Sequence, residues 1–218
     1  MDRAALIVVD VQPDFLPGGA LAVAGGDEIL APLDTLLRAN RFPLVVATQD
    51  WHPPGHVSFA SSHPGRRPFE TIELYGHEQT LWPDHCVQDT PGASLASDLH
   101  WRPVSAVIRK GTDRDVDSYS AFRNNWNAAG QRPPTGLAGY LRERGVERVF
   151  ICGLARDICV KWTAEDAADL GFDATILWDL TRAVDPSTDD ALRAMCSSRG
   201  IHVVDSGTLL AAPGGPVQ

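Results

Sequence analysis

Three residues far apart in the chain carry side chains that together could break an acyl bond: Asp10, Lys110 and Cys159. A cysteine sulfur is a strong nucleophile, and a carboxylate can take its proton and return it to a leaving amine. An ammonium steadies the negative charges beside it. Backbone N–H groups around Ala155 and Cys159 are placed to hold a developing oxyanion. A second set begins at Asp50-Trp51-His52, with His56 close by and His85 further along in Trp82-Pro83-Asp84-His85-Cys86. Aspartate with two or three imidazoles suits Zn²⁺, Fe²⁺ or Mn²⁺ and leaves positions open for water or another ligand. In an extended segment the D-x-H spacing puts both side chains on one side, where they can share an ion. Each group also has a plainer use. A lone cysteine packs, a carboxylate at a strand end bonds loop amides, a lysine reaches solvent, and a short D-x-H match recurs by chance. Cys86 is expected to pack, and His63, His77, His100 and His202 lack a ligand-like setting.

The elements around these residues decide between the two uses. Residues 4–10 and 44–48 are continuous apolar runs, as in strands covered on both faces, and 104–110, 147–152, 174–178 and 201–204 complete six predicted strands. Helical stripes lie between them: Ile29, Leu30, Leu33, Leu36 and Leu37 before Pro43, then 137–144 before Gly145. A third runs from Asp157 to Gly171, and a fourth opens at Ser187-Thr188-Asp189-Asp190. The segment 51–102 shows no sustained period, and 111–134 is irregular; a loop that long is rare unless it carries function. The tail from Ala211 is expected to fray.

Strand alternating with helix predicts a single-domain α/β fold over 1–210. Its core is a doubly wound, mostly parallel six-stranded sheet with helices on both faces. Ligands in such folds bind beyond the carboxyl ends of the strands. Asp10 ends the first strand, Asp50 follows the second, Lys110 ends the third, and Cys159 follows the fourth, so all four fall on that one edge. Cys159 sits near a helix start, where free N–H groups and the dipole would lower its thiol pKa.

Bulk properties exclude some partners. A formal charge of −9 offers no basic patch for phosphate backbones, so nucleic-acid binding is not expected. The first apolar run is short and ends in Asp10, which predicts neither a secretory core segment nor a membrane span. Four cysteines without an export signal read as reduced thiols, with the cytoplasm as the default compartment. No G-x-G-x-x-G follows the first strand, so a dinucleotide-binding module lacks its phosphate cradle. An open sheet could present an edge or helix face to a second copy, although nothing in the sequence locates one.

Several stretches carry a resemblance: Val8-Val9-Asp10-Val11-Gln12-Pro13-Asp14-Phe15, Gly18-Gly19-Ala20-Leu21-Ala22-Val23, Asp50-Trp51-His52-Pro53, His56-Val57-Ser58-Phe59, Trp82-Pro83-Asp84-His85-Cys86-Val87, Lys110-Gly111, Asp117-Ser118-Tyr119-Ser120-Ala121-Phe122 and Gly153-Leu154-Ala155-Arg156-Asp157-Ile158-Cys159-Val160. In this order they resemble the nicotinamidase (pyrazinamidase) family of isochorismatase-like cysteine hydrolases. The resemblance implies hydrolysis of nicotinamide to nicotinate and ammonia through a cysteine thioester, with pyrazinamide as a further substrate. It implies Asp10, Lys110 and Cys159 as the catalytic triad, and Asp50, His52 and His85 as ligands of one divalent metal ion. His56 is an additional ligand in some members. Phe15, Trp82 and Tyr119 would wall the pyridine ring, with Ala155 beside it, and a cis peptide would join Leu154 to Ala155. Arg156 and Ile158 depart from the usual pattern next to the nucleophile, which bears on substrate breadth. Relatives that hydrolyse ureido or other small amides generally lack the metal set, so Asp50, His52 and His85 favour the first reading over a metal-independent hydrolase.

Overall fold

The computed structural model describes residues 1–211, Ala211 by its backbone alone, so the tail expected to fray otherwise lies outside the described residues. In chain order the main elements are β1 (Ala4–Val9), α1 (Leu30–Arg38), β2 (Leu44–Asp50), β3 (Thr71–Leu74), β4 (His77–Thr80), β5 (Val104–Lys110), α2 (Leu137–Glu143), β6 (Arg148–Leu154), α3 (Lys161–Asp169), β7 (Asp173–Arg182), α4 (Asp189–Ser198), β8 (His202–Val204) and α5 (Gly207–Ala211).

Six of the strands form one sheet in the order β5-β2-β1-β6-β7-β8, every pairing parallel. Both faces are covered, which is why β1 and β2 are buried along their whole length. Ala4, Leu6 and Val8 pack into a core with Leu33, Leu36 and Leu37 of α1. Ala5, Ile7 and Val9 turn the other way, toward Leu137 and Leu141 of α2, Ala164 and Ala167 of α3, and Leu192 and Cys196 of α4. The expected doubly wound architecture is therefore present. Successive connections from β1 lead outward through β2 to β5, whereas those from β6 lead the other way through β7 to β8. The reversal opens a crevice between β1 and β6 at their carboxyl ends.

Three expectations need correction. The segment 51–102 contains an antiparallel hairpin, β3 with β4. Its strands are short, polar and half-exposed, so no apolar period announces it. Tyr75 (φ 53°) and Gly76 (φ 79°) make the left-handed two-residue turn that matches strand twist. β6 and β7 also run further than their apolar runs, because Gly153 and Leu154 pair with Thr181 and Arg182 after a register shift. Finally, α3 does not start at Asp157. A wide turn over Arg156–Val160 precedes it, with Val160 N donating to Ala155 O. Among the described residues no helix is long and apolar enough to cross a membrane, and all four cysteines are free and buried.

Candidate active site

All four residues assigned to one sheet edge meet there. Asp10 follows β1 with φ 47°, a left-handed backbone unusual for aspartate. Its backbone N–H donates to Thr48 Oγ1 at 3.1 Å, and the same hydroxyl donates to Asp10 Oδ1 at 2.6 Å. Thr48 and Asp50 share one face of β2, two residues apart. Gly153 lets β6 approach here: a Cβ at its φ of +111° would collide with Val9 O.

Lys110 occupies the centre. Its Nζ lies 2.8 Å from Asp10 Oδ2, donates to Asp50 Oδ1 and to Ser118 O (3.0 Å), and stands 3.6 Å from Cys159 Sγ. One carboxylate oxygen each from Asp10 and Asp50 lies within 4.8 Å of that sulfur. The lysine, both carboxylates and the thiol are buried. Burial would strip Lys110 of its proton, but Asp10 and Asp50 outweigh it and hold the ammonium well above its ordinary pKa. For Asp10 burial wins; with Asp50 adding to it and Lys110 opposing, the carboxyl rises to about 6. Asp50, also opposed by burial, is held well below the usual range by Lys110 and His52.

The thiol corrects the sequence-based expectation. Burial pushes the Cys159 thiol well above its ordinary pKa; Lys110 pulls it down, while Asp10 and Asp50 push it up. Cys159 thus rests as a protonated thiol beside a carboxylate able to accept its proton, and the local helix-start effect is too weak to reverse that.

The second predicted set is equally tight. Asp50 Oδ2 lies 3.6 Å from His52 Nε2 and 3.7 Å from His85 Nε2. Each imidazole is pinned through its other nitrogen: His52 Nδ1 donates to Gly111 O at 3.1 Å and His85 Nδ1 to Pro83 O at 2.8 Å. A carbonyl only accepts, so both Nε2 lone pairs are left facing the carboxylate, as ligand histidines are oriented by their outer partners. Gly111 is needed here, because a Cβ at its φ of +64° would meet the His52 ring. Burial pushes His52 down, yet Asp50 raises it, so the field at this point favours positive charge. Buried, pre-oriented N, N and O donors around a charge deficit fit a divalent cation. Gln12 braces the carboxylate's backbone, donating to Asp50 O at 2.9 Å and accepting from Asp50 N at 2.8 Å.

His56 lies apart from Asp50 and His85. Its ring packs 4.2 Å from that of His52, Nε2 faces Val116 O at 3.3 Å, and Nδ1 faces Ser58 Oγ at 2.7 Å. Burial, with His52 beside it, lowers its pKa to about 4. It groups with His52 and Asp117.

Cys159 from the first set and Asp50, His52 and His85 from the second line one pocket of about 390 Å³ of empty space, its mouth included. Phe15, Trp82, Tyr119 and Ala155, the sequence-based candidates for the wall, all line it, as does Ile158. Trp82 Nε1 donates to Tyr119 Oη at 3.2 Å, and the Leu154–Ala155 peptide is cis. Asp117, Leu21, Val23 and Val184 also line the pocket. The first three stand within the quoted stretches without a role assigned to them, and Val184 has no local signal. Arg156, expected to bear on the substrate side, does not line the pocket. It turns outward to Asp189 and Thr181, since adjacent residues on a helical turn point in different directions. Cys86 packs in the core as expected, its backbone N–H donating to Asp14 Oδ2 at 2.7 Å.

Known proteins share this arrangement of chain. A nicotinamidase from Acinetobacter baylyi is 46% identical over 211 residues, spanning 96% of this chain and 95% of that one. The solved nicotinamidase/pyrazinamidase of Acinetobacter baumanii superposes with a TM-score of 0.89 at 43% identity, covering 96% of this chain and 99% of its own. The pyrazinamidase of Pyrococcus horikoshii in complex with zinc gives a TM-score of 0.75 at 38% identity, covering 93% and 99%. The Isochorismatase domain model matches residues 4–208, and the chain belongs to that family.

Proposed function

We infer that the chain is a nicotinamidase, a hydrolase of the amide C–N bond that converts nicotinamide and water to nicotinate and ammonia. Pyrazinamide, named for several relatives, is a second substrate. The observation that carries this reading is Lys110, whose ammonium touches the nucleophile, the base and a metal-type carboxylate at once. The likeness to nicotinamidases over nearly the whole chain supports it. A single domain over 1–210 accounts for the activity, supported by the family match.

Asp10 takes the Cys159 proton as the sulfur attacks the carboxamide carbon. Backbone N–H groups of the Ala155–Cys159 turn hold the oxyanion, and Asp10 returns the proton to the departing amine. A thioester forms as ammonia leaves. Water, deprotonated by the same carboxylate, then attacks the thioester carbon; the C–S bond breaks, nicotinate leaves, and Asp10 returns the proton to the Cys159 sulfur. Lys110 stays protonated throughout and keeps two carboxylates compatible in one buried space. Asp50, His52 and His85 would hold one divalent ion, zinc, iron or manganese; zinc is present in one solved relative. Such an ion supplies a Lewis-acidic anchor for a ring nitrogen. Phe15, Trp82 and Tyr119 flank the flat ring and exclude water from it. Four free thiols suit a cytoplasmic setting.

Ammonia release from nicotinamide, measured with metal content on the same sample, tests the reading. Turnover by a metal-loaded protein is expected. Turnover of ureido compounds alone, by a metal-free protein, would overturn it.

A further inference from the structure

Two neighbouring side chains of the nucleophile turn reach away from the triad and grip one loop. Asp157 accepts from Val184 N at 2.9 Å through Oδ1 and from Asp185 N at 2.8 Å through Oδ2. Arg156 donates from Nε to Thr181 Oγ1 and from Nη2 to Thr181 O, each at 2.9 Å, and from Nη1 to Asp189 at 2.5 Å. Its guanidinium also lies 4.1 Å over the Trp178 ring. The loop after β7 is thus fastened at both ends. Val184, directly at one fastening, lines the same pocket as Leu21, Val23, Ala155 and Ile158. It alone among the pocket residues is exposed, at 37%, so it stands at the mouth.

We propose that Val184 is a specificity gate for ring substituents and that Asp157 is the positioning residue that sets the gate. This rests on the amide-hydrolase reading above. The pocket lining is chemically mixed: Asp50, His52, His85 and Asp117 are polar, whereas Leu21, Val23, Ala155, Ile158 and Val184 are apolar. An apolar wall discriminates by shape, not by hydrogen bonding. Shape discriminates only if the wall cannot retreat. Moving Val184 outward would break two charge-assisted hydrogen bonds and leave the Asp157 carboxylate underbonded. The nucleophile and the gate therefore share one support, since Asp157 lies two residues from Cys159 and fixes how far Val184 stands from it.

The test compares kcat/KM for nicotinamide with that for nicotinamides methylated at each ring carbon in turn. In Val184→Ala the methylated-to-plain ratio should rise about tenfold for at least one ring position, the usual worth of a methyl-sized space. Val184→Leu should lower it. Asp157→Asn, which loses one of its two acceptor bonds, should raise the same ratio by a smaller factor, chiefly through KM. Ratios unchanged at every ring position in Val184→Ala and Asp157→Asn would overturn the proposal. If Val184→Ala does not fold, Val184→Thr keeps the shape and should leave the ratios as they are, and Val184→Leu decides. Dissociation constants for the same panel in a Cys159→Ala background read the gate without turnover. Loss of nicotinamide hydrolysis in the unmodified protein would sink the reaction assignment, while a changed binding ratio would still support the gate.

Discussion

Two buried cations, Lys110 beside the Cys159 sulfur and Arg156 at the start of its turn, do different work. Lys110 is a point charge shared among Asp10, Asp50, the Ser118 carbonyl and the Cys159 sulfur, with no route to solvent. Arg156 is a planar fork matched one-to-one with a single carboxylate, Asp189, whose side chain is 30% exposed, and its Nε and Nη2 donate to Thr181. Around Lys110 burial, with a second carboxylate adding to it, lifts Asp10 to about 6, so that group is able to act as a base. Around Arg156 one cation meets one carboxylate, and its hydrogen bonds to Thr181 and Asp189 hold geometry. A surplus of acid groups marks the reactive cluster, and a balanced pair marks the supporting one.

The largest contrast is expected from removing each cation. Lys110→Met leaves two carboxylates buried without a counter-charge, so activity should fall by at least ~10³-fold and stability by about 3–5 kcal/mol. Urea denaturation of Lys110→Met within error of the unmodified protein would erase the distinction. Chelation comes next. Stripping the metal should raise the nicotinamide KM about tenfold or more, on the scale of one lost anchoring contact, and an unchanged KM would remove the ring-anchoring role of Asp50, His52 and His85.

The pH profile sharpens the same comparison. Asp10 must be ionised to accept the thiol proton, so kcat/KM should climb with pH through about 6 and level off near neutrality. The sign for stability is opposite. Burial raises the folded-state pKa of Asp10 above 3.8, so its favourable contribution is complete below that value and is lost as pH rises through about 6. An acid limb that stays put in Asp10→Asn would show that another group titrates. The smallest effect is expected at the other cation: Arg156→Met should cost about 1–3 kcal/mol through the stranded Asp189 and lost packing, with kcat changed only a few-fold. A collapse of kcat equal to that of Lys110→Met would merge the two clusters into one machine.

Much of the fold was legible because a sheet covered on both faces writes itself as continuous apolar runs. The end of each run then points at the crevice, which is why the sequence alone puts Asp10, Asp50, Lys110 and Cys159 on one edge. The β3–β4 hairpin left no such trace, since its strands are polar and only four residues long. Gln79 was equally silent, although from that hairpin it donates to Asp117 at 2.7 Å and to Tyr119 Oη at 2.9 Å in the pocket wall. Such contacts join distant loops pairwise and have no period to read. Adjacency in sequence is no guide at Arg156, which belongs to the same turn as Cys159 but reaches Thr181 and Asp189 outside the pocket. The thiol departs from its sequence-based expectation for a related reason: the helix start is local and visible in sequence, whereas burial by the whole fold is not, and burial is the larger effect.

The most direct measurement is rapid-quench mass spectrometry of the protein caught during turnover of nicotinamide. A nicotinoyl group on the peptide carrying Cys159, absent in Cys159→Ala, is the expected result. Continued ammonia release with no adduct on that peptide, or with the adduct on Cys86, Cys152 or Cys196, would contradict the assignment of Cys159 as the nucleophile served by Asp10 and Lys110.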